Sequence, residues 1–285
     1  MTKAKDIWYR SLDGLQLYAC DYCPAEPIET IVCMHGLTRN SKDFDPVVEL
    51  LSEQYRVITV DLRGRGRSQW DRSPANYQPA CYVQDMFILF EKLNLGDVIL
   101  LGTSLGGLMS MLMSAMHPEK IKAVIVNDIG PEIHPEGLAR IKSYVGKSKG
   151  VNNWAEATAQ VKLINQHDFP DLSEKQWSDF ALRLYRENQA GIPVLDYDPA
   201  ISQPMIESEE AAAPTLWDVF EHTANKPLLL IRGALSDILT DTIVHKMLKV
   251  KPDISYCCLS NRGHAPLLSE SKAQQAIKNF LVSLS

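Results

Sequence analysis

The sequence predicts an α/β fold, a mostly parallel sheet with helices on both faces, and three observations carry that reading. Between Thr30 and Val126, short apolar runs rich in β-branched residues alternate with longer segments of helical periodicity, as in a sheet covered on both sides. Within that stretch, Val98-Ile-Leu-Leu-Gly-Thr-Ser104-Leu-Gly-Gly-Leu108 passes from strand pattern to helix pattern through a serine set between glycines. From Gly130, roughly 95 residues of helical periodicity intervene before Lys226-Pro-Leu-Leu-Leu-Ile-Arg232 restores a buried strand, so a helical region is inserted into the alternation.

The chain opens with two short strands in Ile7 to Tyr22, joined at Asp13-Gly14, because Asp-Gly between alternating apolar residues favours a hairpin turn. Thr30 to Met34 is a buried strand, Phe44 to Leu51 a helix, and Arg56 to Val60 a second buried strand. A helix from about Pro79 to Leu93 keeps Val83, Met86, Phe87 and Phe90 on one face. The strand Val98 to Leu101, a helix from Leu105 to Met116 ended by His117-Pro118, and the strand Ile121 to Val126 follow. After the insertion come the strand Leu228 to Ile231, a helix from Asp241 to Leu248 and a strand from Ile254 to Leu259. A closing helix, Ser271 to Leu284, turns Ala273, Ile277, Phe280 and Leu281 inward. The expected division is a core domain of residues 1–129 and 226–285 with a helical lid of residues 130–225. In the lid, Trp154, Trp177, Trp217, Tyr144 and Tyr185 are expected mainly to form its own core, with one or two facing a pocket. Gly191 to Ala213, rich in Pro, Ala and acidic residues, reads as loop.

Composition narrows the partners. With 285 residues and 45% hydrophobic content the chain can bury one large core. Its net charge of −6, from 29 basic and 35 acidic residues scattered along the sequence, gives no surface for a nucleic acid. The N-terminus has no signal-like apolar stretch and no run reaches about 18 apolar residues, so a cytoplasmic protein without a membrane partner is expected. The six cysteines lack framework spacing, and Cys20 and Cys23 fall on opposite faces of a strand, which leaves reduced thiols and neither metal nor cofactor. The oligomeric state is not legible.

Ser104 reads as a nucleophile elbow. A sharp strand-to-helix turn strains the serine backbone and needs small neighbours, here Gly102 and Gly106, and it presents the hydroxyl outward at a helix N-terminus. The N-H of Leu105, the next residue, would then help to stabilise an oxyanion. A serine nucleophile needs a base, and the base needs a carboxylate to orient it. His264, in Asn-Arg-Gly-His-Ala-Pro after the last strand, emerges at the carboxyl end of the sheet with Ser104. His35 also ends a strand, and the other five histidines lie at helix ends or in the insertion. Asp237, which follows the strand Leu228 to Ile231 and precedes His264 in the order Ser, Asp, His, is the preferred carboxylate. Asp128, following the strand that ends at Val126, is the alternative, or else a turn residue bonding its own backbone ahead of Gly130-Pro131. The second oxyanion donor is expected at Leu37 N-H, where Gly36 permits close approach. Asp61-Leu-Arg-Gly-Arg-Gly-Arg-Ser68 lacks the Lys-Ser/Thr ending of a phosphate loop and reads as a structural turn with solvated or ion-paired arginines.

Taken together, His35-Gly36, Asp61-x-x-Gly64-x-Gly66-x-Ser68, Gly102-x-Ser104-x-Gly106, Asp237 and Gly263-His264 resemble the α/β-hydrolase family with a helical cap. The resemblance implies an eight-stranded, mostly parallel sheet with the cap inserted after the sixth strand. It also implies Ser104 as nucleophile, His264 as general base and acid, Asp237 as its partner, and Leu37 and Leu105 as the oxyanion hole. Serine at the elbow departs from the dehalogenase and epoxide-hydrolase branches, which place aspartate there. The expected activity is hydrolysis of small to medium carboxylic esters through an acyl-enzyme. Lactone hydrolysis, carbon-carbon bond cleavage and cofactorless perhydrolysis use the same trio, and a noncatalytic small-molecule receptor is the reading from another class.

Overall fold

The computed structural model describes residues 3–147, 150–204 and 215–284. Strands β1 (Ala4–Arg10) and β2 (Gln16–Tyr22) form the expected antiparallel hairpin, with Arg10 opposite Gln16. Six further strands join them in one sheet: β3 (Thr30–Met34), β4 (Arg56–Asp61), β5 (Val98–Thr103), β6 (Ile121–Asn127), β9 (Leu228–Gly233) and β10 (Ser255–Leu259). The eight-stranded order is β1-β2-β4-β3-β5-β6-β9-β10, antiparallel as far as the β2-β4 pair and parallel from β4 onward.

Alternation along each strand divides the core between two faces. Val32, Ile58, Leu100 and Val124 pack with α2 (Pro79–Leu93), α3 (Leu105–Met116) and α8 (Asp241–Val250). Ile31, Val57, Ile99 and Ile125 face the other way, against α1 (Asp45–Leu51) and α9 (Ser271–Val282). Residues Val98 to Leu101 are fully buried, which explains why β5 reads as an uninterrupted apolar run. Each such side chain contributes on the order of 1.5–3 kcal/mol from burial, before chain entropy is set against it. The inner residues of α9 are those expected, Ala273, Ile277, Phe280 and Leu281. In α2 the buried face includes Leu89, while Phe87 is half-buried with its ring edge-on to His117 at 4.6 Å.

Between β6 and β9 the chain runs through α4 (Pro135–Tyr144), α5 (Trp154–Asn165), α6 (Glu174–Leu184), the short hairpin β7 (Tyr185–Glu187) and β8 (Pro193–Leu195), and α7 (Trp217–Thr223). The α5 and α6 helices have a small core of their own, where Trp177 stacks on Phe180 with 6.0 Å between ring centres. Helix α6 starts at a reciprocal cap between Ser173 and Gln176. Helix α7 instead packs on α3: Phe220 joins the core of the sheet, and the Thr223 hydroxyl donates to Met111 O at 3.1 Å. The segment Gly191 to Ala213, expected as loop, contains β8 and a helical turn at Pro199–Ser202. Pairing with β7 supplies the strand order that its composition conceals, and residues 205–213 lie outside the described part. Among the described residues, no helix is long and apolar enough to cross a membrane.

Candidate active site

Strand β5 ends at Thr103, and Ser104 adopts φ 53° and ψ −115° before α3 begins. That conformation is strained for any residue with a Cβ, and close packing on both sides holds it. A Cβ on Gly102 would lie 2.1 Å from Gly106 O, and one on Gly106 would lie 1.9 Å from Met34 O. Only glycine at both offsets allows β5 to turn into α3 while α3 sits against β3. The turn places Leu105 at the start of α3, where the first N-H groups have no intrahelical acceptor. Gly36 lies alongside, since a Cβ there would be 3.6 Å from the Ser104 Cβ.

His264 reaches Ser104 from the loop after β10, with Nε2 2.7 Å from the serine Oγ. Its Nδ1 lies 2.8 Å from Oδ2 of Asp128, so the carboxylate at the imidazole is the one that follows β6. Asp128 is fully buried at φ +57°, a left-handed conformation that aspartate tolerates better than most residues. Its oxygens are otherwise satisfied by Gly233 N-H at 2.7 Å and the Ser236 hydroxyl at 2.6 Å. The preference for Asp237 is therefore corrected. Both carboxylate oxygens of Asp237 are bound by Arg140 of α4, at 2.5 and 2.8 Å. The turn after β9 sends Ser236 inward to Asp128 and leaves Asp237 facing the helical segment.

Three residues at this site make contacts that the sequence motifs do not give. Asn127 Nδ2 donates to Thr103 Oγ1 at 3.1 Å and to Pro266 O at 2.9 Å, tying the elbow to the histidine loop. Arg65 donates from Nε to Leu37 O at 2.9 Å and so holds the Leu37–Thr38 peptide in the loop after β3. His35 accepts Leu62 N-H at Nε2, with Nδ1 2.7 Å from Gly36 O, and burial pushes its pKa down to about 3. Each would require knowing which loops meet.

The arginine-rich turn is structural. Arg63 is buried against Asp85, Asp71 and Asp13, and the carboxylate of Asp61 accepts the N-H of Arg67 within its own turn and the N-H of Ser41 from the segment after β3. Gly66 lies so close to that carboxylate that a Cβ would be 2.3 Å from Oδ2. Neither Arg63 nor Arg65 lines the cavity at Ser104.

That cavity measures about 390 Å³ and opens over Ser104 and His264. Leu37, Ile141, Tyr144, Val161, Phe180 and Leu184 give it a mainly apolar wall. Tyr144 and Tyr185 are the two aromatics from the sequence reading that face it, while Trp177 stays in the α5-α6 core.

Residues 29–268 match the family model of the α/β-hydrolase fold. The chain belongs to the α/β-hydrolase family. It is 33% identical to the 3-hydroxybutyrate-oligomer hydrolase of Cupriavidus necator over 85% of this chain and 84% of that protein. It is 26% identical to the 2-(acetamidomethylene)succinate hydrolase of Mesorhizobium japonicum, over 87% of this chain and 86% of that one. Among solved structures, an α/β-hydrolase from Novosphingobium aromaticivorans superposes with a TM-score of 0.92 at 36% identity, covering 99% of both chains. This α/β-hydrolase thus has the eight-stranded sheet of its solved neighbour and stands among hydrolases in sequence.

Proposed function

We propose that this α/β-hydrolase cleaves carboxylic esters through Ser104, His264 and Asp128. The observation that carries the reading is the hydrogen-bonded chain from Asp128 to His264 to Ser104, ending at the floor of an apolar cavity. Ser104 Oγ attacks the ester carbonyl while His264 Nε2 takes its proton, and Asp128 holds Nδ1-H and stabilises the imidazolium. Leu37 and Leu105 N-H groups face the developing oxyanion. The tetrahedral adduct expels the alcohol, which takes the proton from His264. Water then attacks the acyl-serine, His264 accepts its proton and returns it to Ser104, and the acid leaves.

The relative from Cupriavidus necator supports an ester bond, because a hydroxy acid oligomerises through esters. We assign the helical segment of residues 130–225 as a lid, on the ground that Ile141, Tyr144, Val161 and Phe180 all come from it and line the cavity. The test is hydrolysis of 4-nitrophenyl butyrate together with labelling by a fluorophosphonate. Both are expected in the unaltered protein and both are lost in Ser104→Ala. Hydrolysis that survives this substitution would remove Ser104 from the mechanism, and a protein that neither hydrolyses nor labels would be a receptor on this fold.

A further inference from the structure

The charges lining the cavity do not balance. Arg39, Lys147 and Arg183 face one carboxylate, Asp43, in a chain whose net charge is −6. Arg39 is already neutralised: its Nε and Nη2 donate to both oxygens of Asp43 at 2.7 and 2.6 Å, and its guanidinium lies 4.3 Å from the centre of the Phe180 ring. Lys147 is exposed at the rim and donates to Lys142 O. Arg183 differs from both. It stands on α6 one turn beyond Phe180, on the same wall of the cavity, and is half-buried. Its side chain has no hydrogen bond or ion pair among the described residues. The carboxyl of Asp45 senses its charge without pairing with it.

A guanidinium against apolar wall has lost part of its hydration and has five donors to fill. A carboxylate meets that need in a bidentate, charge-assisted geometry. The negative net charge of the chain does not attract anions from a distance, so any selection for them has to arise locally in this cavity. Leu184 and Leu195, also in the wall, suit a short hydrocarbon spacer.

Building on the ester-hydrolase reading, we propose that the site selects esters that carry a free carboxylate, bound by Arg183 while the ester carbonyl sits at Ser104. Arg39, held by Asp43, borders the subsite without competing for the anion, and Lys147 adds positive charge at the rim.

The experiment compares mono-4-nitrophenyl adipate with its methyl ester, which masks the carboxylate, in the unaltered protein and in Arg183→Gln, Arg183→Glu and Arg183→Lys. The readout is the ratio of the two kcat/KM values, which does not depend on the fraction of each variant that is folded. An intact protein should favour the anionic ester about 10- to 100-fold, mainly through KM. The ratio should fall toward one in Arg183→Gln, invert in Arg183→Glu and be partly kept in Arg183→Lys. No preference in the intact protein, or an undiminished one in Arg183→Gln, overturns the proposal while leaving ester hydrolysis standing. Failure to cleave either ester, or cleavage that survives Ser104→Ala, removes the ester-hydrolase reading and this proposal with it.

Discussion

Both carboxylate oxygens of Asp237 are bound by the guanidinium of Arg140, which leaves His264 to Asp128. The third nitrogen of Arg140 lies 3.2 Å from Asp168, whose backbone oxygen accepts Gly263 N-H at 2.7 Å. Asp237 therefore belongs to a tie between α4 and the loop carrying His264. Burial acts to raise its pKa, and the hydrogen bonds and charge of Arg140 outweigh that and hold the carboxyl below its usual value.

The division of labour between the two aspartates predicts opposite results from one chemical change. Asp128→Asn removes the negative charge at His264 Nδ1 and offers an amide N-H that holds the imidazole in the wrong tautomer, and it is expected to lower kcat on 4-nitrophenyl butyrate by about 10⁴-fold. Asp237→Asn should lower it by less than about tenfold. Equal losses would mean that the tie to Arg140 is part of the chemistry.

Arg140→Gln should loosen that tie. It leaves the buried carboxyl of Asp168 without its cation and is expected to reduce folding stability by about 1–3 kcal/mol. Chemical denaturation reads the loss, and an unchanged midpoint would show that the contact is energetically neutral.

At the elbow, Gly106→Ala drives a methyl group into Met34 O, 1.9 Å from the ideal Cβ position. Neither partner is a flexible side chain, so β3 and α3 must separate. The expected outcome is a loss of more than about 3 kcal/mol, or no soluble protein, whereas a comparable substitution at the open Gly96 should cost less than about 1 kcal/mol.

His35 predicts a pH dependence of stability. Its folded pKa of about 3 lies below the ordinary value of 6.5, so between these values the unfolded chain binds a proton that the native protein excludes. The stabilising effect is fully present above pH 6.5 and is lost as pH falls toward 3, by about 1.4 kcal/mol per unit. Denaturant titrations from pH 7 to 4.5 should show a shallower decline in His35→Gln than in the unaltered protein. Parallel declines would place the acid sensitivity elsewhere.

Much of the fold was legible because its signals are local. Val98 to Leu101 had to be a buried strand, since each residue is apolar and the run is too short for a helix. The α9 face followed from spacing alone. The β7-β8 hairpin was not legible, because three-residue strands have too little periodicity to read and depend on pairing for their order. Asn127 and Arg65 stayed hidden for a related reason: each joins segments that the sequence does not show to be neighbours.

The elbow and the acid separate what each level determines. Sequence alone marked the turn at Ser104, because Gly102 must clear Gly106 O within five consecutive residues, although the need for glycine at 106 comes from Met34 O of β3. The tertiary structure decided which carboxylate meets His264. Strands β6 and β9 are parallel neighbours in register from Val124 and Leu228, so Asp128 and Asp237 emerge side by side at the same end of the sheet. Their order along the chain does not tell them apart. The left-handed backbone at Asp128 and the inward turn of Ser236 do, because they aim one carboxylate at the imidazole and leave the other to Arg140.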